Sequence, residues 1–303
     1  MATPETFLVT GALGCIGAWT CVELVRDGIP VVAFDLGEDR QRLELIARSD
    51  ELDHITFVRG DITELAELEP TLREREITHV VHLAALQVPF CKADPPLGAR
   101  VNVVGTVNVF EAAKRHGLES TLAYASSAAV YDAAGQINPA THYGIYKLAN
   151  EATARIYWAD DGVASIGLRP YTVYGPGRDQ GLTSSPTLAM AAAARGEPYR
   201  ISFGGRTQFH YAPDVARAFV TAARRPPEEA AVYNLGGPVV DMQEVIAAIE
   251  RAAPDARGLI EAEDVRLSFP ERLPETNLDV PLTPLAEGVR ETIAIFRAAG
   301  ARH

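Results

Sequence analysis

Cysteine and long apolar runs are scarce in this sequence, and each scarcity excludes a class of protein. The 303 residues include three cysteines, Cys15, Cys21 and Cys91. An odd, sparse set without metal-ligand spacing favours reduced thiols and predicts neither a disulfide framework nor a metal site. No stretch reaches the roughly 20 apolar residues of a membrane-spanning helix. The N-terminus "MATPETF" also lacks a secretory signal pattern. We therefore expect a soluble, cytoplasmic protein that does not bind membranes.

Positive charge is the third scarcity. Lysine and arginine number 28 against 40 aspartates and glutamates, which gives a formal net charge of -12. Long-range repulsion would oppose nonspecific binding to nucleic acid or to anionic lipid, so we expect neither as a partner. The length, with 47% hydrophobic residues, suits one dinucleotide-sized lobe and a smaller one.

Short apolar segments alternate with helix-like segments through the first half of the chain. This rhythm predicts an α/β fold, a doubly wound parallel sheet of the Rossmann type. The predicted strands are Thr6–Val9, Val31–Phe34, Ile55–Val58, His79–Leu83, Leu122–Ser126 and Ala164–Leu168. The predicted helices are Ile16–Arg26, Arg40–Arg48, Leu65–Arg75, Val101–His116 and Tyr143–Ala159. We assign residues 1–170 to a cofactor domain, with returns from the C-terminal half. Residues 171–303 are assigned mainly to a small α/β substrate lobe.

The stretch "LVTGALGCIGAW" predicts a cradle for a dinucleotide. It follows a predicted strand, opens a predicted helix and carries Gly11, Gly14 and Gly17. Glycines allow a sharp turn and a close approach of the backbone to a pyrophosphate at the helix N-terminus. The spacing departs from Gly-x-Gly-x-x-Gly, so the motif alone does not exclude an ordinary glycine turn. Asp35, 18 residues beyond Gly17, favours the cradle because it can accept hydrogen bonds from an adenosine ribose. Its charge favours NAD over NADP, although Arg40 and Arg42 leave NADP as the alternative.

Tyr143 and Lys147 form the candidate catalytic pair. They are four residues apart, so on a helix they share one face. A phenol is a poor base at neutral pH, but a nearby ammonium and a positively charged nicotinamide would both lower its pKa. Ser127 ends a predicted strand at the sheet edge where α/β proteins bind ligands, and it can orient a reacting oxygen. With only three lysines in the chain, about 0.1 such pairs are expected by chance.

With these motifs in order, the chain resembles the extended short-chain dehydrogenase/reductases, which include NAD-dependent sugar epimerases and dehydratases. Further matching segments are "GDI" at 60–62, "HLAA" at 82–85, "NVVGTVNVFEAA" at 102–113, "SSAAVY" at 126–131, "RPYTVYGPG" at 169–177, "DVARA" at 214–218 and "LAEGVRETIAIFR" at 285–297.

The resemblance implies a set of site residues. Ser127, Tyr143 and Lys147 would be catalytic. Adenine would lie against Asp61 and Ile62, and Asn102 would support the backbone of the active site. The implied NAD-binding residues are Gly11, Gly14, Ile16, Gly17, Asp35, Asp61, Ile62, Leu83, Ala84, Ala85, Asn102, Tyr143, Lys147 and Pro170. The family also commonly dimerises through helices near 101–116 and 143–159, which implies a homodimer.

Two departures from the family pattern affect the substrate. Relatives that act on nucleotide sugars typically have asparagine at the position of Thr172 and arginine at that of Thr207, both facing phosphates. Threonine removes an amide donor and a charge. Arg206 and Arg178 are candidates to compensate for this loss, and the alternative is that they hold a carboxylate. The predicted substrate contacts are Gln87, Ser127, Thr172, Arg178 and Arg206.

These observations favour NAD-dependent epimerisation of a sugar derivative by transient oxidation of a hydroxyl. Net dehydrogenation of a small sugar, sugar acid or polyol is the close alternative, because the phosphate partners are missing. A non-catalytic NAD-sensing regulator is a third hypothesis, which the complete Ser127, Tyr143 and Lys147 set disfavours. Dehydration is the least expected reaction in the class, because the acidic residue that some dehydratases carry beside the serine is absent.

Overall fold

A parallel seven-stranded sheet forms the centre of the molecule. The computed structural model describes residues 4–274, 276, 278 and 280–301. The strands are β1 (Phe7–Thr10), β2 (Val31–Asp35), β3 (Ile55–Arg59), β4 (His79–His82), β5 (Leu122–Ala125), β6 (Ser165–Arg169), β7 (Thr172–Tyr174), β8 (Tyr199–Ile201), β9 (Arg206–Tyr211), β10 (Ala230–Asn234), β11 (Val239–Asp241) and β12 (Ile260–Ala262). The order across the central sheet is β10-β6-β5-β4-β1-β2-β3. This order reverses between β1 and β4, and ligands of open α/β sheets bind at such a switch point.

Helices cover the sheet and build a second lobe. They are α1 (Cys15–Arg26), α2 (Gln41–Ile46), α3 (Ser49–Leu52), α4 (Leu65–Glu74), α5 (Val88–Ala93), α6 (Pro95–Ala99), α7 (Gly105–His116), α8 (His142–Asp161), α9 (Ser185–Ala194), α10 (Ala212–Ala223), α11 (Met242–Ala252) and α12 (Leu285–Gly300). A π-helical turn, Arg100–Val104, leads into α7.

Both faces of the central sheet are buried, which explains why its strands are short and apolar throughout. In β1, Phe7 and Val9 pack into the core that contains α1 and α10. Leu8, between them, faces the opposite core, which contains α4 and α7. Successive side chains of a strand point to opposite faces, so one strand contributes to two cores.

A separate apolar core holds the second lobe together. It contains Met190 of α9, Val245 of α11 and Val289 of α12. A three-stranded sheet, in the order β11-β9-β7, and the β12-β8 pair complete the lobe. The C-terminal half also returns to the central sheet, because β10 pairs in parallel with β6 at its edge.

The structure confirms the predicted α/β, Rossmann-type fold. The six predicted strands are present, with ends shifted by one residue. The predicted helix 40–48 is instead α2 followed by the single turn α3, and the predicted helix 101–116 begins with the π-helical turn. The domain division at residue 170 stays a prediction. Among the described residues, no helix combines the length and the apolarity needed to cross a membrane.

His82, at the end of β4, makes the fold sensitive to acid. Its ring nitrogens lie 2.7 Å from the Thr10 hydroxyl and 3.0 Å from the Thr106 hydroxyl. Burial, assisted by the charge of Lys147, lowers the pKa of His82 to about 3. Between this value and the ordinary histidine pKa near 6.5, the unfolded chain binds a proton that the folded chain does not. The free energy of unfolding should therefore fall as the pH falls.

From pH 7.5 to pH 5, we expect His82 to remove about 2 kcal/mol of stability. Urea unfolding at several pH values measures the loss, and His82→Gln is the matched variant because an amide can still bond both hydroxyls. The loss should be smaller in the variant by about that amount. Equal pH dependence in the two proteins would contradict this account of His82.

Candidate active site

The glycine turn between β1 and α1 forms one end of an open cleft. Gly11 has a left-handed backbone, with φ of 68°, and a Cβ there would lie 2.5 Å from the Ala84 nitrogen. A Cβ on Gly17 would lie 2.1 Å from the Gly11 carbonyl oxygen. Gly14 begins α1 without a side-chain cap, so the first amides of the helix have no side-chain acceptor from that residue. The turn thus presents backbone N–H groups at the positive end of a helix, which suits a phosphate.

Asp35 ends β2 beside this turn. Its carboxylate accepts hydrogen bonds from the Leu13 and Gly37 amides, each at 3.0 Å. It lines a neighbouring pocket together with Leu13, Phe57 and other residues. The carboxylate is thereby fixed at the carboxyl end of the strand, where the sequence argument places the adenosine ribose.

The other predicted cofactor residues divide into two groups. Those that line the cleft are Gly11, Gly14, Ile16, Gly17, Leu83, Ala85, Tyr143, Lys147 and Pro170. The residues of the second group make packing or hydrogen-bonding contacts with other parts of the chain. Ile62 is buried beside Gly105, the Asp61 carboxylate accepts from the Thr63 amide, and the Ala84 amide lies 3.5 Å from the Thr10 hydroxyl.

Asn102, in the π-helical turn, supports the segment after β4. Its Oδ1 accepts from the Leu86 amide at 2.7 Å, and its Nδ2 donates to the Leu86 carbonyl at 2.9 Å. Asn102 is fully buried. This two-way contact fixes the backbone immediately before Gln87, which lines the cleft.

The catalytic candidates meet in the same cleft because α8 packs closely against the turn that follows β5. Thr141 caps α8 by accepting a hydrogen bond from the Gly144 amide. A Cβ on Gly144 would lie 2.2 Å from the Ala129 carbonyl oxygen, so only glycine permits this approach. Ser127 begins the turn, and its Oγ accepts from the Ala129 amide at 3.1 Å. The close packing places Tyr143 beside Ser127.

Burial in this cleft shifts the pKa values of both Tyr143 and Lys147. Burial raises the pKa of Tyr143, and the hydrogen bond with Ser127 and the charge of Arg178 oppose that rise. The Lys147 ammonium donates to the Ala125 carbonyl at 2.7 Å and lies 5.5 Å from the centre of the Tyr143 ring. Burial lowers the pKa of Lys147 itself to about 8. Burial is therefore the largest influence on the Tyr143 pKa in the protein alone.

At the substrate end, the two threonines that replace the family's asparagine and arginine bond to each other. Thr172 and Thr207 are buried, and their hydroxyls are 3.1 Å apart. Arg178 and Gln87 line the cleft, with Arg178 Nη1 3.4 Å from Gln87 Oε1. Arg206 is not brought into this group. Its side chain is 56% exposed and lies 3.7 Å from Glu271, and the structure gives the predicted substrate contact of Arg206 no support.

Sequence reasoning missed several cleft residues. Tyr171, Leu182, Thr183 and Phe269 line the cleft from irregular segments that have no periodicity. It also missed the buried ion pair of Arg169 and Glu151, whose closest atoms are 2.5 Å apart and which ties α8 to the end of β6. Glu151 and Ser126 are hydrogen-bonded as well. The sequence shows a glutamate eight positions after Tyr143 on the same predicted helix, but its burial follows only from the structure.

Comparison with known proteins identifies the family of this chain. The family model "NAD dependent epimerase/dehydratase family" matches residues 7–236. The chain belongs to this family. It is 30% identical to a UDP-glucose 4-epimerase of Mycolicibacterium smegmatis, over 96% of this chain and 98% of that protein. Among solved structures, the Thermus thermophilus UDP-glucose 4-epimerase in complex with NAD is 28% identical, with a TM-score of 0.77. The match covers 97% of this chain and 100% of the Thermus thermophilus chain. MoeE5 in complex with UDP-glucuronic acid and NAD is 29% identical, with a TM-score of 0.79, over 97% and 100%.

Membership in the epimerase/dehydratase family confirms the predicted family, the class of enzyme and NAD as its cofactor. The residues present fit NAD. The glycine turn comes so close to its own backbone that side chains are excluded, α1 begins without a capping side chain, and Asp35 is fixed at the end of β2.

Proposed function

We propose that the chain epimerises a sugar derivative, with Ser127, Tyr143 and Lys147 as its catalytic residues. The observation that carries the proposal is their convergence in one cleft with the glycine turn. Relatives of 28–30% identity over nearly the whole chain are sugar epimerases, which supports the same reaction class.

In the proposed reaction, the Tyr143 oxygen takes the proton of a substrate hydroxyl while the carbon that bears this hydroxyl loses a hydride. NAD, when bound, would supply the acceptor for that hydride and its source for the return. The ketone must present its other face to the same hydride before the return, because otherwise the original stereocentre would be restored. Tyr143 then returns the proton to the substrate oxygen, so atoms and electrons balance over the cycle. The Ser127 hydroxyl, beside Tyr143, donates a hydrogen bond that orients the reacting oxygen.

Lys147 acts as a positioned cation. Its ammonium is anchored on the Ala125 carbonyl, on the same face of α8 as Tyr143. We propose that it also holds the ribose next to the nicotinamide and favours the Tyr143 phenolate once the cofactor is in place. Because the pKa of Lys147 is about 8, the ammonium carries most of its charge at neutral pH.

A second candidate is net dehydrogenation of a smaller sugar, sugar acid or polyol. The mutual hydrogen bond of Thr172 and Thr207 favours it, because two phosphate partners typical of nucleotide-sugar enzymes are replaced by a neutral, self-satisfied pair.

One assay distinguishes the two candidates. The purified protein is mixed with NAD and with panels of free sugars, sugar acids and nucleotide sugars. Absorbance of reduced cofactor and the identity of the products, by NMR, are followed together. An inverted stereocentre without net NADH supports the epimerase, whereas accumulating NADH supports the dehydrogenase. Tight NAD binding with neither outcome would favour the regulator.

We propose a homodimer formed through α7 and α8, in the cytoplasm, where its three free cysteines would stay reduced. Apolar side chains are exposed here, namely Ile145 (51%) and Ile156 (61%) on α8 and Val104 (46%) immediately before α7. Ile145 and Ile156 are eleven residues, or three turns, apart and therefore share one face of α8. Such a patch is typical of an interface.

Ile156→Glu should convert the dimer to a monomer, because a charge would be buried against a second copy of the same helix. Light scattering after gel filtration measures the mass. Val265→Glu is the matched control, since Val265 is 54% exposed in another part of the chain. A wild-type protein that is already monomeric, or a dimer that tolerates Ile156→Glu, would contradict this interface.

A further inference from the structure

The loop between β7 and α9 is joined to the glycine turn through one ion pair. Asp179, in the loop, accepts hydrogen bonds from Arg42 of α2, with Nη2 at 2.8 Å and Nε at 3.1 Å. The remaining guanidinium nitrogen of Arg42, Nη1, donates to the Leu13 carbonyl of the turn at 3.0 Å. Arg42 therefore connects the loop with the turn. We call the pair of Arg42 and Asp179 the clasp.

The clasp joins two walls of the same cleft. Gly14 and Gly17 line the cleft from the turn and from α1, whereas Arg178 and Leu182 line it from the loop. A group that binds at the turn is therefore bordered by the loop. While the clasp is closed, the two walls are held together at Asp179.

The loop is held more firmly at its beginning than at Asp179. The Pro176 carbonyl accepts a buried hydrogen bond from Trp19 Nε1 at 3.0 Å. The clasp is partly exposed, by 26% for the Arg42 side chain and 49% for that of Asp179. Gly177 lies between these two anchors with φ of 85°, a conformation that glycine adopts without strain. Because exposed ion pairs are weak and are screened by salt, the loop can leave the turn at the clasp while Pro176 stays in place.

An epimerase must keep its reduced cofactor between the two hydride transfers. NADH and the ketone exist together until the hydride returns, so the loss of NADH in that interval would end the cycle without an inverted product. Such retention depends on the dissociation rate of NADH, and closure of a loop is a common way in which proteins set that rate.

Resting on the proposed function, we propose that the clasp of Arg42 and Asp179 is a gate that slows the release of NADH, so that the hydride returns before the cofactor dissociates. Arg42 is already engaged by the loop and by the turn, and this role differs from recognition of the 2′-phosphate of NADP. The gate opens for entry as well as for release. It therefore changes both rates and leaves the Kd for NADH nearly unchanged.

Stopped-flow fluorescence measures the gate without any sugar. NADH-loaded protein mixed with excess NAD gives the dissociation rate, and free protein mixed with NADH gives the association rate. Asp179→Asn keeps the shape of the side chain and removes its charge. We expect this variant to raise both rates about 3- to 10-fold and to leave the Kd within about twofold of wild type. The double variant with Arg42→Gln should release NADH no faster than Arg42→Gln alone, because the two side chains act as a pair.

Salt provides a second measurement of the same ion pair. Raising NaCl from about 50 to about 500 mM should speed release from the wild type about threefold and should affect Asp179→Asn less. Arg200→Gln is the matched control, because Arg200 is 66% exposed and pairs with Glu261 in another part of the chain. Its two rates should equal those of the wild type.

Two results would overturn the gate. One is rates within about twofold of wild type in both Asp179→Asn and Arg42→Gln. The other is a rise in the Kd for NADH without faster association, which would make Arg42 a direct contact of the cofactor. Thermal unfolding of each variant verifies that it folds.

Turnover separates the gate from the proposed function. With NAD and whichever of UDP-glucose and glucose the wild type converts, Asp179→Asn should accumulate unbound NADH that the wild type does not. Unchanged rates together with intact epimerisation would reject the gate alone. If the wild type converts neither sugar, or itself accumulates NADH, the epimerase is rejected, and the two rates still decide whether the clasp controls access of the cofactor.

Discussion

Replacing Tyr143 by phenylalanine should lower kcat about 10²- to 10⁴-fold, the range usually lost with a general acid-base group. The variant removes one oxygen and leaves the ring, which packs near Lys147, in place. Binding of NAD should change little, because the cradle at α1 and Asp35 is untouched. Steady-state turnover and NAD titration, measured on the same preparation, give the two quantities.

Tyr146→Phe is the matched control for this variant. Tyr146 lies on the same helix, and its hydroxyl donates to the Pro95 carbonyl at 2.9 Å, away from the Tyr143 hydroxyl. We expect near wild-type turnover from Tyr146→Phe. Full turnover by Tyr143→Phe would reject Tyr143 as the proton acceptor even though the fold and the cofactor site would be unaffected.

Gly17→Ala should weaken NAD binding about 10- to 100-fold and destabilise the protein by about 1–3 kcal/mol. The added methyl group would lie 2.1 Å from the Gly11 carbonyl oxygen and 2.8 Å from the Ala12 Cα, both backbone atoms. The turn must therefore move, and with it the amides that face the cleft. Fluorescence titration with NADH measures binding, and urea unfolding measures stability.

Gly37→Ala provides the comparison for that change. Gly37 is also near the cofactor site, and its amide donates to Asp35. A Cβ there would meet the nearest atoms at 3.6 and 3.8 Å, which is ordinary contact. We expect NAD affinity within about twofold of wild type. If Gly17→Ala bound NAD as tightly as Gly37→Ala does, the glycine turn would not be the cofactor cradle.

Local sequence was sufficient where the chemistry lies in one continuous segment. The glycines at 11, 14 and 17 follow a strand and open a helix, and Tyr143 and Lys147 are one helical turn apart. Periodicity and turn chemistry determine such features, so the fold class and the core of the site followed from the residues. Resemblance to a family then supplied residues, such as Asn102, whose support of Leu86 no periodicity indicates.

Features that depend on distant packing were not predictable in the same way. Arg206 and Thr207 are adjacent in β9, and neighbours in a strand point to opposite faces. Thr207 therefore bonds to Thr172 while Arg206 is exposed, but this follows only once residues 206–211 are known to form a strand. The π-helical turn around Asn102 adds a residue to one turn, which helical periodicity does not reveal.

Irregular segments were the other limit. Arg178, Leu182 and Thr183 lie between β7 and α9, and Phe269 lies between β12 and α12. These segments reach the cleft through contacts with remote parts of the chain, such as the bond between Asp179 and Arg42. The sequence names Arg178 as a candidate, but only the packing shows that no described residue accepts a hydrogen bond from its Nε.

Epimerisation in deuterated water tests most directly whether a carbon-bound hydrogen leaves and returns as a hydride. The NAD-loaded protein is incubated with UDP-glucose and with UDP-glucuronate, and the inverted product is examined by proton NMR. We expect the inverted carbon to keep its original hydrogen, because the hydride does not exchange with solvent while Tyr143 handles only the hydroxyl proton. Deuterium at the inverted carbon would show that a deuteron from the solvent was added there, and it would contradict the mechanism.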